Sequence, residues 1–182
     1  MNWRVTLLFV VLCLGLVGVL YKGFGSNPRE VPFMMKGQTA PPFTLKALDT
    51  GTRMSMEQLK GRPVVINFWA SWCGPCKMEH PVLEWGAREF GGEAQFLGIV
   101  FEDTEDNARQ FLRQMGASFP QLVDTHSGVA VAYGVAGVPE TYFIDAQGTI
   151  RGKHVGPIDP QSLASWVKEL STGAGAPTAK QQ

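Results

Sequence analysis

"PVVINFWASWCGPCKMEHP", residues 63–81, decides how this chain folds. Its first eight residues are a near-continuous apolar run, the pattern of a strand buried on both faces inside a sheet. A helix should follow from about Gly74 to Phe90, because Pro75 suits a first helical turn, where its missing N–H costs nothing. Pro81 is expected to kink that helix. The two cysteines, Cys73 and Cys76, therefore fall where a strand ends and a helix begins, the place where sites form in open α/β sheets.

Working outward, "AQFLGIVF" (94–101) is a second buried strand, and "EDNARQFLRQMG" (105–116) has helical spacing with Gly116 as its stop. "PQLVD" (120–124) reads as a strand and "GVAVAYGV" (128–135) as a short helix. "TYFID" (141–145) and "IRGKHVG" (150–156) are strands around a turn at Ala146-Gln147-Gly148. "DPQSLASWVKEL" (159–170) is a closing amphipathic helix capped by Asp159. On the N-terminal side, "FTLKAL" (43–48) and "TRMSM" (52–56) flank Asp49-Thr50-Gly51 as a short hairpin. Alternating strands and helices that end in a hairpin and a helix imply an α/β fold, a mixed central sheet flanked by helices.

Between Arg4 and Lys22 lie 17 uncharged residues, "VTLLFVVLCLGLVGVLY". As a helix they would reach roughly 26 Å, the lower limit for a bilayer. Trp3 and Tyr21 flank the stretch as interfacial anchors do, and "GFG" at 23–25 is a poor cleavage site, so an uncleaved signal anchor is expected over 1–25. Cys13 is then a small apolar residue of that segment. A Gly- and Pro-rich linker (26–36), a domain over 37–171 and a disordered tail (172–182) complete the expected organisation. Beyond residue 25 there are 14 bases against 16 acids, and no Walker or Gly-rich phosphate loop occurs. Nucleic-acid binding and nucleotide chemistry are disfavoured, and no cofactor is expected.

A Cys-x-x-Cys pair can be half of a zinc site, a structural disulfide or a redox pair. Zinc needs four ligands, and only His80 is nearby, so no metal is expected. A two-residue loop removes little entropy from the unfolded chain, which leaves redox chemistry. A sulfur at a helix start meets unpaired N–H groups and the positive dipole end, which favour the thiolate; Cys73 is therefore the expected nucleophile. Cys76, one turn further in, is expected to resolve the mixed disulfide. Gly74-Pro75 sets the geometry of the small ring, and Trp72 covers one side of it.

"FWASWCGPCKMEHP" resembles the active site of the thioredoxin superfamily, and the element order matches it over residues 37–170. "NPREVP" (27–32), "GQTAPPF" (37–43), "GVPETYFID" (137–145) and "KHVGPI" (153–158) narrow the resemblance to the DsbE/CcmG proteins, anchored periplasmic thiol-disulfide reductants of cytochrome c maturation, with the ResA/TlpA group as nearest neighbour. The resemblance implies a cis Val138-Pro139 bond packed against the cysteines; the residues alone leave an ordinary trans proline equally open. A proline without an N–H leaves the preceding backbone free to pair with an extended peptide, so Val138 and Pro139 would shape the substrate groove with Trp72, Gly74 and Pro75.

Glu140 would place a carboxylate close to the sulfurs and raise the Cys73 pKa. Glu79, three residues after Cys76, could exchange a proton with the buried thiol; for each glutamate a solvated surface acid is the alternative. Thioredoxins carry a buried aspartate six residues before the first cysteine, where this chain has Asn67, so proton uptake passes to Glu79 or Glu140. Gly-Pro between the cysteines does not separate the subfamilies.

The implied function is reduction of disulfides in apocytochrome c or a maturation component that handles it. A membrane thiol-disulfide electron carrier would re-reduce the pair, and the domain would sit in the periplasm on a single-pass inner-membrane anchor. A general reductase of exported proteins and a non-catalytic anchored peptide-binding module are the alternatives. A peroxiredoxin, suggested by "GIVFEDTEDNARQF", is not supported: its Pro-x-x-x-Thr-x-x-Cys motif would need Pro and Thr where Ile66 and Ala70 stand.

Overall fold

The computed structural model of the chain describes residues 3–24 and 33–172. The chain divides into two compact units, residues 1–32 and 33–182. The first contains helix α1, Trp3–Phe24, with apolar side chains such as Leu7, Leu8, Phe9 and Val11 exposed. Its side chains are described as far as Gly18. Among the described residues no helix is long and apolar enough to cross a membrane. Most of the expected linker and tail lies outside the described residues.

The second unit is a seven-stranded mixed sheet. Its strands are β1 (Thr44–Ala47), β2 (Arg53–Ser55), β3 (Val64–Trp69), β4 (Gln95–Val100), β5 (Gln121–Val123), β6 (Glu140–Ile144) and β7 (Ile150–Val155), in the order β2-β1-β5-β4-β3-β6-β7. β3, β4 and β5 pair in parallel; every other pairing is antiparallel. The helices are α2 (Met56–Leu59), α3 (Gly74–Glu89), α4 (Glu105–Met115), α5 (Gly128–Tyr133) and α6 (Pro160–Thr172). Each strand and helix expected between residues 43 and 170 is present. α2 is additional: at four residues it is too short for a periodic signal, and its one local mark is Gln58, whose Oε1 accepts from the Ser55 N–H.

β3 is buried along its whole length, and its alternation builds both faces of the core. Val64, Ile66 and Phe68 pack with Leu97, Ile99, Tyr133, Tyr142 and Ile144. Val65 packs on the opposite face with Leu83 of α3 and with Leu163, Trp166 and Val167 of α6. Trp166 stacks on Phe143 at 4.6 Å and lies across Gly152, where any Cβ would collide with its ring. Phe33 meets Tyr142 edge-on at 5.8 Å, and Gly37 N donates to Ile150 O. Residues that read in sequence as the end of a linker thus pack on the domain.

Caps follow local chemistry. Asp159 Oδ1 accepts from the N–H groups of Gln161 and Ser162, Thr104 Oγ1 from Asn107 N, and Gly116 ends α4 at φ 99°. Pro75 lies in the first turn of α3 and Pro81 inside it.

Candidate active site

Cys73 is the N-cap of α3 and is joined to Cys76 by a disulfide, with Cα atoms 5.3 Å apart. The Cys76 N–H donates to Cys73 Sγ at 3.1 Å. That donor and the helix dipole both favour negative charge on Cys73 once the pair is reduced. Burial does not separate the two sulfurs, since the residues are 4% and 2% exposed. Position does: Cys73 lies at the helix mouth, where the Val138 carbonyl oxygen is 3.6 Å from its Sγ, and Cys76 lies within α3. The Val138-Pro139 bond is cis.

Around the pair pack Leu48, Trp69, Ala70, Val100, Ala108, Phe111 and Val123. Trp72 is 59% exposed, with its indole N–H donating to Glu102 O. Asp103 Oδ2 accepts from Ser71 N at 2.7 Å, which ties the approach to α3 to the loop after β4. His80 is buried against Trp69, Phe111 and Phe119, with Nε2 3.0 Å from Gly116 O. Burial pushes its pKa down, and its bond to Gly116 links α3 to the end of α4. Among the described residues no group of three or more potential ligands is placed to hold a metal.

Glu79 is 1% exposed and has no cation among its bonded partners. Its Oε1 accepts from Asn67 Nδ2 at 2.7 Å and its Oε2 from Ile158 N at 3.0 Å. Asn67 Nδ2 also donates to Thr141 Oγ1. Desolvation outweighs both hydrogen bonds and raises the Glu79 pKa to about 7. The residue standing where thioredoxins have an aspartate therefore holds the carboxyl group that titrates. Three residues apart on α3, Cys76 and Glu79 are neighbours on the helix surface, with Cβ atoms about 5–6 Å apart.

Glu140 lies on the other face of the sheet. It is 2% exposed, which removes the solvated-surface reading, but its bonded partners do not include a sulfur. Oε2 accepts from Lys153 Nζ at 3.0 Å and lies 2.9 Å from the Tyr142 hydroxyl, and Oε1 accepts from Ala136 N at 3.2 Å. The reason is strand parity: Glu140 is the partner of Phe68 and shares its face of the sheet, whereas Thr141 is the partner of Asn67 and shares the face of Glu79. Sequence reasoning misses Ile158, Thr141 and Lys153. Lys153 stands in "KHVGPI" with no mark of a role, and Ile158 acts through a backbone N–H, which leaves no side-chain signal.

A cavity of about 560 Å³ is lined by Pro63, Asp145, Arg151 and Glu169. Pro63 precedes β3, at the end of that strand remote from the cysteines, so this cavity is not the redox site.

A family model described as "AhpC/TSA family" matches residues 36–153. The thiol:disulfide interchange protein DsbE of Allochromatium vinosum is 36% identical over 159 residues, covering 86% of this chain and 85% of that protein. HelX, a thiol:disulfide interchange protein of Rhodobacter capsulatus, is 35% identical over 162 residues, covering 87% and 90%. Among solved structures, a thiol:disulfide interchange protein DsbE from Chlorobium tepidum is 30% identical, with a TM-score of 0.70 over 74% of this chain and 96% of that one.

Proposed function

This chain belongs to the AhpC/TSA family, with DsbE-type thiol:disulfide interchange proteins as close relatives, and from that premise we propose that it is a reductant of disulfides in exported proteins, apocytochrome c or a maturation component that handles it being the client. The observation that carries the reading is the placement of Cys73 as the N-cap of α3, its Sγ on the Cys76 N–H and beside the carbonyl that precedes cis Pro139.

In this reading the Cys73 thiolate attacks one sulfur of the client disulfide. A mixed disulfide forms, and the other client sulfur leaves as a thiolate that takes up a proton. Cys76 then attacks Cys73 Sγ, which closes the pair and frees the second client sulfur as a thiolate that takes up a proton from water. Two electrons pass from the pair to the client. The Cys76 proton goes to Glu79, whose raised pKa places its ionised form in reach near neutral pH. Val138 and Pro139 hold the client backbone, with Trp72, Gly74 and Pro75 beside them, and a membrane thiol-disulfide carrier resets the pair.

The uncharged stretch from Val5 to Tyr21 serves as an uncleaved inner-membrane anchor that keeps the domain in the periplasm, where it gains effective concentration near membrane partners. A Cys76→Ala variant of the full chain should accumulate clients disulfide-linked to Cys73. Cytochrome maturation components among them would support the narrow reading, and a broad spread of exported proteins would replace it with a general reductase. A peroxidase is not proposed, since Ile66 and Ala70 stand where its motif needs proline and threonine.

A further inference from the structure

Lys153 touches neither cysteine in the bonding pattern, yet it closes a chain of contacts that ends at Cys73. It lies on β7, with its side chain 17% exposed, and its Nζ sits 5.3 Å from the Phe33 ring centroid and 5.6 Å from that of Tyr142. Its carboxylate partner is Glu140. The other oxygen of Glu140 accepts the Ala136 N–H, in the segment between α5 and β6 that carries Val138 and cis Pro139. Tyr142 ties the same segment at its start, because its hydroxyl lies 2.9 Å from both Tyr133 O and Glu140 Oε2. Gly156 N donates to Pro139 O and holds the far end. The Val138 carbonyl, 3.6 Å from Cys73 Sγ, is thus presented by a loop that the Glu140 side chain holds at Ala136, and Glu140 is itself held by Lys153.

We propose that Lys153 is a positioning residue for the peptide-binding edge: by holding the Glu140 carboxylate on the Ala136 N–H, it sets the Val135–Pro139 backbone at the register that an extended disulfide-bearing peptide requires. The inference rests on the oxidoreductase reading and adds to it a residue that acts on substrate binding rather than on the sulfurs. A small disulfide needs only Cys73. A peptide also needs the Val138 backbone, so the two substrates should respond differently.

The test is single-turnover reduction by the pre-reduced full chain of two probes: hydroxyethyl disulfide, and a peptide closed by an oxidised Cys-x-x-Cys-His loop. Lys153→Met should raise the half-saturating peptide concentration roughly tenfold, about the loss of one charge-assisted hydrogen bond. Its limiting rate, and the rate on hydroxyethyl disulfide, should stay within about twofold.

Two double variants cover the case in which the single one fails to fold. Lys153→Met with Glu140→Gln removes the buried charge pair and keeps an acceptor for Ala136, and should bind the peptide within about threefold of the unaltered chain. Lys153→Met with Glu140→Leu removes that acceptor and should bind it roughly tenfold worse. Equal losses on both probes, or equal peptide binding by the two double variants, would overturn the inference. Failure of the unaltered chain to reduce either probe would instead remove the oxidoreductase reading, and this inference with it.

Discussion

Glu79 and Glu140 are 1% and 2% exposed, on opposite faces of one sheet, and the chain treats them in opposite ways. Glu79 receives two neutral donors, Asn67 Nδ2 and Ile158 N, so desolvation wins and its pKa rises to about 7. Glu140 receives a cation as well as neutral donors. Burial alone does not assign a function to an acid; its partners do. A carboxyl group without a cation is left able to exchange a proton near neutrality, and one with a lysine becomes a fixed strut.

The largest expected effect lies on the strut. Lys153→Met leaves Glu140 buried without its cation and should destabilise the domain by about 3 kcal/mol in urea unfolding at pH 7. A loss under about 1 kcal/mol would mean that the pair is relaxed into solvent and that the two glutamates differ less than their geometry indicates.

Glu79→Gln should act in the other direction, and only at high pH. A carboxyl whose folded pKa is raised from 4.5 to about 7 favours the folded state fully below about pH 4.5, and that contribution is lost as pH rises through about 7. The variant should therefore be more stable than the unaltered chain by about 2 kcal/mol at pH 8–9 and no more stable at pH 4. Stopped-flow measurement of the resolving step should show an inflection near pH 7 in the unaltered chain that disappears in the variant, while the initial attack by Cys73 changes little. An inflection that survives the substitution would remove Glu79 from the proton path.

Asn67→Asp is a smaller change at the same place. It would set a second carboxylate against Glu79, with one donor fewer, so the two acids would share a proton. Between pH 5 and pH 8 the variant's stability should fall by about 1 kcal/mol more than that of the unaltered chain, measured as the change in thermal midpoint between the two conditions. An unchanged pH dependence would show that the Asn67–Glu79 contact is not held in solution.

Much of this is legible in the sequence, for reasons that differ by residue. The run from Val64 to Trp69 can only be an interior strand, and Gly74-Pro75 after Cys73 can only open a helix, so local sequence alone puts the sulfurs at a strand-to-helix junction. The cis bond at Pro139 is legible only through family resemblance, since a proline before a strand is compatible with either isomer. The two glutamates are visible as candidates, but their environments are not. The partners of Glu79 come from Asn67, 12 residues back, and Ile158, 79 residues on. The two-residue period assigns Glu140 to the face of Tyr142, but which face holds α3 depends on the antiparallel register Phe68↔Glu140, a tertiary fact.

The smallest expected effect returns to Glu140. As a bare carboxylate close to the sulfurs it would oppose the helix dipole, and its removal would lower the Cys73 pKa and move the potential in the oxidising direction. Paired with Lys153 at 3.0 Å it presents a compensated charge, and Glu140→Gln frees the lysine head to turn out into water, so a negative and a positive charge leave the neighbourhood of Cys73 together and their effects oppose. Ultraviolet titration of the thiolate should then show a shift below about 0.3 pH units, with the equilibrium constant against glutathione changed less than about twofold. Peptide binding should be nearly preserved, because glutamine keeps an acceptor for the Ala136 N–H. A downward shift of a full unit would restore Glu140 as an electrostatic partner of Cys73, and the contrast between the two acids would then be one of degree.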